Sequence, residues 1–240
     1  FTSRTTTMTT LQPLILYALR AGANPWKVAY ILEELGLPYK MEQVDFPDLK
    51  KEPFLSLNPN GRVPALKDPN NQDMVLWESG AIIDYLIDVY DKDFKLHHPS
   101  GPEKYATWAW EHFQMSGQGP YFGQKAWFER YHAEKLPSAI ERYRKEIKRV
   151  LGVIDSHLAK QGTDYLTGNK VTYADIMFIP YFKGLAYIAS EVNTSEFKAY
   201  EAWLERLMSR PAVAKVWANQ LEVLASVTSQ PPSKEVIESQ

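Results

Sequence analysis

The chain has 240 residues, of which 45% are hydrophobic and 13% aromatic, enough apolar material for one large or two smaller globular domains. With 27 basic and 29 acidic residues the formal net charge is -2, so charge gives no reason to expect a nucleic acid or an anionic membrane as a partner. The absence of cysteine excludes disulfides, thiolate metal sites and a cysteine nucleophile, so any thiol chemistry must come from a bound ligand.

The first part of the chain carries the pattern strand, helix, strand. The apolar run at 14–17 predicts a buried strand, and residues 39–46 predict a second one. Between them, Asn24 suits an N-cap and Pro25 the first helical position, and the helix stops at Gly36. Its apolar stripe consists of Val28, Ile31, Leu32 and Leu35, while the charged residues on its other faces are Lys27, Glu33 and Glu34. This order predicts two parallel strands joined by a crossover helix.

The next segment predicts two further strands, at 62–67 and 74–76, joined by the turn sequence DPNNQD. A short helix at 51–57 precedes them, and an amphipathic helix at 78–90 follows. A β-α-β unit followed by β-β-α is the thioredoxin-like order. The polar segment DKDFKLHHPSGPE, with two prolines, is then predicted to be a linker.

Beyond the linker the chain carries almost no strand signal. Helices are predicted over 104–130, 138–158, 173–190 and 197–209, with a last one opened by Pro211. A break is expected near Gly117 to Pro120. Thr172 to Asp175 form a capping box in which aspartate replaces the usual glutamate.

These elements predict two domains. We expect an α/β thioredoxin-like N-terminal domain at 12–92 and an all-α C-terminal domain at 103–225. The segments 1–11 and 226–240 are polar and are expected to be loose tails. No apolar run approaches the roughly 20 residues that a membrane-spanning helix needs.

Three short motifs allow a binding role beside a structural one. The helix opened by Glu78 and Ser79 could hold a carboxylate at its N-terminus and an ammonium group on Glu78, although simple capping is the preferred explanation of this motif taken alone. Proline at a strand start, in Val63-Pro64, is an ordinary edge proline or a cis peptide that exposes the Val63 backbone to a peptide-like ligand. Asn24 could donate its amide to an anion at the same helix start that it caps.

Taken in order, four motifs resemble the signature series of glutathione transferases. They are GANPWKVAYILEELGLPY, SLNPNGRVPALKD, LWESGAIIDYLIDVY and TYADIMFIPY, and the resemblance covers residues 14–224. The segments WAWEHFQMSGQGPYFGQKAWFERY and IERYRKEIKRVLGVID resemble the fungal branch related to the yeast nitrogen-catabolite regulator. Bacterial relatives of that branch are glutathione-dependent disulfide reductases. The resemblance implies the glutathione transferase architecture, a cytoplasmic homodimer, glutathione as co-substrate without a metal, and a small electrophile or disulfide as the second substrate.

The resemblance also implies roles for single residues. In this branch a helix-start asparagine replaces the catalytic tyrosine, serine or cysteine of other classes, and Asn24 matches that position. The Val63 backbone would pair with the cysteinyl part of glutathione, and Glu78 and Ser79 would hold the γ-glutamyl end. The residues expected to face the glycine carboxylate are Arg62 and a basic residue at Lys50 or Lys51. The co-substrate wall is expected to include Gln118, Tyr121 and Gln124. Relatives have glycine where this chain has Pro25, so one backbone donor is missing here.

Two residues compete for the task of activating the sulfur. Tyr17 ends the first strand, where several transferase classes place a catalytic tyrosine, but packing is the better account of a residue in that strand. Asn24 cannot remove a proton, so it would act by stabilising the thiolate. The predicted function is conjugation of electrophiles or reduction of disulfides with bound glutathione. The alternative is a non-catalytic glutathione-binding regulatory or protein-interaction module on the same fold.

Overall fold

The computed structural model describes residues 11–20 and 22–227, without the side chains of residues 226 and 227. Most of the two predicted tails therefore lies outside the described residues. Of the tail residues that are described, Leu11 is exposed and lies outside regular structure, whereas residues 226 and 227 belong to the last helix.

Four strands form one mixed sheet in the order β2-β1-β3-β4. Their bounds are Leu14–Ala18 for β1, Tyr39–Gln43 for β2, Ala65–Asp68 for β3 and Met74–Trp77 for β4. As predicted, β1 runs parallel to β2. Strand β3 is antiparallel to both β1 and β4. Strand β3 begins later than predicted, because Pro64 cannot donate a hydrogen bond to the ladder. The Val63–Pro64 peptide bond is cis, one of the two alternatives that the sequence allowed, and so is Glu52–Pro53.

Three helices belong to the strand-containing part: α1 at Ala23–Leu35, α2 at Phe54–Leu57 and α3 at Ser79–Tyr90. Helix α1 ends at Gly36, which has the left-handed conformation (φ 69°) that glycine adopts without strain. The prediction that Asn24 caps this helix is wrong. The N-cap is Gly22, and it makes no side-chain capping bond. The Asn24 amide is therefore left available for another partner.

The remaining named elements of the described chain are all helices, joined by irregular segments. The helices are α4 Pro102–Phe113, α5 Gly119–Ala126, α6 Pro137–Gln161, α7 Tyr173–Met177, α8 Ile179–Lys183, α9 Leu185–Ile188, α10 Lys198–Met208 and α11 Pro211–Val227. At the predicted break near Gly117 the α-helical pattern is interrupted by a π-helical turn at Gln114–Gln118, and the chain stays helical from α4 into α5. Pro120 lies in the first turn of α5, where its missing N–H costs little. The single helix predicted at 173–190 is three short ones.

The capping box at the start of α7 is present, as predicted. The Thr172 backbone N–H and hydroxyl donate to Oδ2 of Asp175 at 2.9 and 2.8 Å. Its Oδ1 accepts from the Leu166 N–H and from the Trp203 indole, both at 2.9 Å. The fully buried carboxylate thus joins three segments of an all-α domain, and the architecture is the predicted thioredoxin-like domain followed by a helical domain.

Helix α1 is buried on more faces than its pattern predicts. It packs against α3 on one side and against α7, α8 and α11 of the helical domain on the other. Lys27 and Glu34, expected on outer faces, are therefore only 1% and 3% exposed. Glu34 is neutralised there by Arg210, whose guanidinium donates two hydrogen bonds of 2.6 and 2.8 Å.

Candidate functional site

A cavity of about 250 Å³ opens where the start of α1, the loop before β3 and the start of α3 meet. The residues that line it are Asn24, Asn58, Asn60, Arg62, Val63, Pro64, Glu78 and Ser79. The sequence had marked five of them as site residues, in three segments that are far apart along the chain. The fold brings these three segments to one place.

The loop before β3 is held by side chains that the sequence reasoning missed. Buried Asn58 donates to the Arg62 carbonyl at 2.5 Å and accepts from the Asn60 N–H at 2.9 Å. Lys50 Nζ donates to the Asn60 carbonyl at 2.7 Å. Gly61 has φ +58°, and a Cβ there would lie 2.7 Å from a backbone oxygen, so only glycine fits. The loop thereby presents residues 62 and 63 to the cavity.

The start of α3 supplies groups of both polarities. Glu78 is exposed and has φ 69° and ψ 119°, a conformation that non-glycine residues rarely adopt and that often marks a functional site. Ser79 follows it as the first helical residue and is 2% exposed. The first N–H groups of α3 have no acceptor within the helix, and they favour an anion. A carboxylate beside Ser79 and an ammonium beside Glu78 fit this arrangement.

The start of α1 places an oriented amide at the cavity. Oδ1 of Asn24 accepts a hydrogen bond from the Tyr181 hydroxyl of α8 at 3.1 Å. The side chain of Asn24 makes no other hydrogen bond within the described part of the chain. Its amide nitrogen is thus left without a protein acceptor.

A buried lysine lies one turn further along α1. The ammonium of Lys27 donates to Oε1 of Gln114 at 3.0 Å and contacts the sulfur of Met115 at 3.2 Å. The Ser79 hydroxyl lies 3.7 Å from the same sulfur. A thioether is a weak acceptor, so this contact satisfies the Ser79 hydroxyl only weakly, whereas Lys27 also has the amide oxygen of Gln114.

Burial dominates the electrostatics around this lysine. Desolvation lowers the pKa of Lys27 to about 7, against the opposing effect of the charges on Glu78 and Glu111. Burial, together with the charge of Asp84, raises the pKa of Glu111 to about 7. The Tyr173 hydroxyl donates to Glu111 Oε2 at 2.9 Å. The region under the cavity therefore holds two groups that change charge near neutral pH.

Several residues proposed from the sequence lie outside the cavity. Lys50 braces its rim, and Lys51 is exposed, 3.5 Å from Asp48. Gln118 is fully buried, where it accepts a hydrogen bond from Gln114 at 2.8 Å and donates to the Phe178 carbonyl at 3.1 Å, so its side chain is part of the interior.

The other proposed residues outside the cavity are Tyr121, Gln124 and Tyr17. Tyr121 has the ring of Tyr143 as a neighbour, and Gln124 is exposed on α5. Neither lines the cavity, so their co-substrate role stays a prediction. Tyr17 packs edge-on against Phe54, with ring centroids 6.3 Å apart.

The sequence did not point to four residues at or next to the cavity. Two of them, Asn58 and Asn60, line it, and Lys27 and Tyr181 lie beside it. All four lie inside the quoted motifs, so the signal was their place in those motifs rather than their spacing.

Within residues 11–20 and 22–227, no group of three or more histidine, aspartate or glutamate side chains is placed to hold a metal ion. No helix in the same ranges has the length and apolar character needed to cross a membrane.

Comparison with known proteins gives two family matches. The glutathione S-transferase N-terminal domain matches residues 22–89, and the glutathione S-transferase C-terminal domain matches residues 123–220. Glutathione S-transferase-like protein OpS6 of Beauveria bassiana is 52% identical over 89% of this chain and 98% of that protein. Glutathione S-transferase 2 of Schizosaccharomyces pombe is 44% identical over 82% of this chain and 92% of that protein.

Solved structures agree with these matches. Glutathione transferase URE2P6 of Phanerochaete chrysosporium, crystallised in complex with oxidized glutathione, is 48% identical with a TM-score of 0.83, covering 88% of this chain and 98% of that one. The two matched domains, the full-length relatives and the fold lead to one conclusion: the chain belongs to the glutathione S-transferase family, on its fungal, Ure2-like side.

Proposed function

We propose that the chain is an enzyme that binds glutathione in the 250 Å³ cavity and uses its thiolate as a nucleophile. One observation carries the proposal: a single cavity joins an amide donor, the backbone of residue 63, a guanidinium and the acidic start of a helix. Glutathione has a thiol, a peptide backbone, two carboxylates and one ammonium group, which these groups complement. The complex of URE2P6 with oxidized glutathione supports the same ligand class.

The proposed pose follows the chemistry of the lining residues. The γ-glutamyl carboxylate lies at the start of α3 beside Ser79, with its ammonium group on Glu78. The cysteinyl backbone pairs with Val63, and the glycine carboxylate faces Arg62. Lys50 lies at the same rim and adds a second positive charge there. The sulfur then lies toward the start of α1, beside Asn24.

Activation in this pose is electrostatic. A free thiol of this kind has a pKa of about 8.5, and each unit of lowering requires about 1.4 kcal/mol of preferential thiolate stabilisation. The Asn24 amide nitrogen and the first N–H groups of α1 are donors that supply such stabilisation. The thiol proton leaves to water. In conjugation the thiolate sulfur then bonds to an electrophilic carbon, and a leaving group such as chloride departs with its electron pair.

Disulfide reduction is a second candidate reaction, favoured by the oxidized glutathione in the URE2P6 complex. Because this chain has no cysteine, the exchange must run between ligand sulfurs. The bound thiolate attacks the glutathione sulfur of a mixed disulfide, oxidized glutathione forms, and the other thiolate leaves. No further reductant is needed for that single exchange.

We also propose that the enzyme is a homodimer. The resemblance to glutathione transferases motivates this, and α4 exposes two large aromatic rings, Tyr105 and Trp108, at 63% and 44%. The rings pack edge-on with centroids 5.4 Å apart. Sedimentation at micromolar concentration tests it, and a species of 27.6 kDa alone would contradict it.

Two assays separate the enzyme from a non-catalytic module. Turnover is measured with glutathione plus 1-chloro-2,4-dinitrobenzene and with a glutathione mixed disulfide, and binding of glutathione is measured by calorimetry. We expect binding and turnover of at least one substrate, and a weaker affinity for glutathione in Ser79→Ala. Binding without turnover of either would favour a regulatory module, and no binding would contradict the proposed site.

A further inference from the structure

A hydrogen bond to Asn24 crosses the domain interface at the candidate site. The hydroxyl of Tyr181 in the helical domain donates to Oδ1 of Asn24 at the start of α1, at 3.1 Å. The two residues are 157 positions apart in the sequence. Tyr181 itself does not line the cavity, and its hydroxyl reaches the cavity lining at Asn24.

The direction of this bond decides what the amide presents to a ligand. A side-chain amide has a donor end and an acceptor end, and only the nitrogen attracts a sulfur anion. A hydroxyl partner fixed on the oxygen end holds that end away, so the nitrogen faces the cavity. Without the hydroxyl, the amide is free to rotate and to present its oxygen, which repels a thiolate.

We propose that Tyr181 is a positioning residue that orients the Asn24 amide toward the sulfur of bound glutathione, and thereby couples the helical domain to thiol activation. The proposal rests on the proposed function of Asn24. It assigns to the helical domain a task in the chemistry itself, in addition to any contact with the second substrate.

The Tyr181 ring is held from several sides. Tyr181 is 9% exposed, and its ring packs edge-on against Phe122 at a centroid distance of 6.0 Å. Gly119 is a further neighbour, since a Cβ there would be in ordinary van der Waals contact with the hydroxyl, at 3.7 Å. The ammonium of Lys27 lies 6.0 Å from the ring centroid. A ring fixed in this way gives its hydroxyl one direction in which to donate.

The hydroxyl acts as a donor across the useful pH range. Burial raises the pKa of Tyr181 to about 12, so it keeps its proton at neutral pH. It therefore cannot serve as the base that takes the thiol proton. Its role is to orient the amide.

The test is a double-mutant cycle read out on the ligand. Ultraviolet absorbance of the bound thiolate is followed against pH, and turnover is measured at saturating glutathione, for wild type, Asn24→Ala, Tyr181→Phe and the double variant. Tyr30→Phe is the matched control, because its buried hydroxyl also donates to a side-chain amide oxygen across the domains, on Gln220 at 3.2 Å. Tyr30 does not line the cavity.

We expect Tyr181→Phe to raise the pKa of the bound thiol and to lower kcat by about twofold to tenfold, the range for one neutral hydrogen bond. In the Asn24→Ala background the same change should have almost no effect. Tyr30→Phe should behave as wild type, and the affinity for glutathione should change little in either tyrosine variant.

Two results would overturn the proposal while leaving the proposed function intact. In the first, Asn24→Ala raises the thiol pKa but Tyr181→Phe does not. In the second, Tyr181→Phe has the same effect in both backgrounds, which marks a general packing defect. If Asn24→Ala itself changes neither readout, the assignment of Asn24 fails, and the positioning role fails with it.

Discussion

Removing the buried ammonium of Lys27 should change how stability depends on pH. The folded protein keeps Lys27 1% exposed, with a neutral amide oxygen as its hydrogen-bond partner, and burial lowers its pKa from 10.5 to about 7. The unfolded chain holds this proton up to pH 10.5, whereas the folded chain releases it above about 7. The unfolded state therefore binds more protons between these values, and the free energy of unfolding rises with pH across the window.

The size of the effect follows from the width of the window. A span of about 3.5 pH units at about 1.4 kcal/mol each corresponds to an upper bound on the order of 5 kcal/mol. Lys27→Met keeps the apolar stem and removes the charge. We expect the variant to be at least as stable as wild type at pH 7 and to lose the gain in stability above it.

Urea unfolding of both proteins at intervals between pH 7 and 10.5 measures this difference directly. Glu111 is present in both proteins, and because the charge of Lys27 lowers the pKa of Glu111, the variant should hold the Glu111 proton to higher pH, which adds to the fall in its stability relative to wild type as pH rises. Lys215→Met is the control, since it removes an exposed lysine that pairs with Glu33 at 2.7 Å, and it should keep the wild-type slope. A constant difference between wild type and Lys27→Met across the whole window would refute the reasoning.

Three further substitutions test the site and its support. Ser79→Ala should weaken glutathione binding by about 1.5–3 kcal/mol, the cost of a hydrogen bond to a charged group, and an unchanged Kd by calorimetry would place the γ-glutamyl end elsewhere. Gly61→Ala should lower both the melting temperature and the affinity for glutathione. Residue 61 has φ +58°, and a Cβ there would lie 2.7 Å from a backbone oxygen, so the loop would have to change shape. A wild-type affinity would show that the loop does not shape the site. Asp175→Ala should cost at least about 3 kcal/mol in urea unfolding, because four donors lose their buried acceptor, and a loss below about 1 kcal/mol would contradict this.

Local patterns in the sequence are sufficient for the order of strands and helices. The spacing of the apolar residues predicts the β-α-β unit, and Gly36 predicts the end of α1. The capping box that begins at Thr172 predicts the start of α7. The cavity follows from motifs, because three short segments each carry a recognisable ligand-binding pattern. Such motifs are local, so they can be identified in the sequence without knowledge of the tertiary contacts.

The features that the sequence did not reveal depend on partners far along the chain. The pattern of α1 places Lys27 on an outer face, because amphipathicity assumes one buried side, whereas the helical domain covers the other side as well. The capping role predicted for Asn24 fails for a related reason. Its amide oxygen accepts a hydrogen bond from Tyr181, which lies 157 positions away, and no local sequence rule identifies such a partner.

A crystal of the protein soaked with glutathione would show where the ligand binds. We expect density in the 250 Å³ cavity, with the cysteinyl backbone paired to Val63, the γ-glutamyl end at Ser79 and the sulfur within hydrogen-bond distance of the Asn24 amide nitrogen. Glutathione bound elsewhere, or bound here with its sulfur directed away from Asn24, would contradict this expectation.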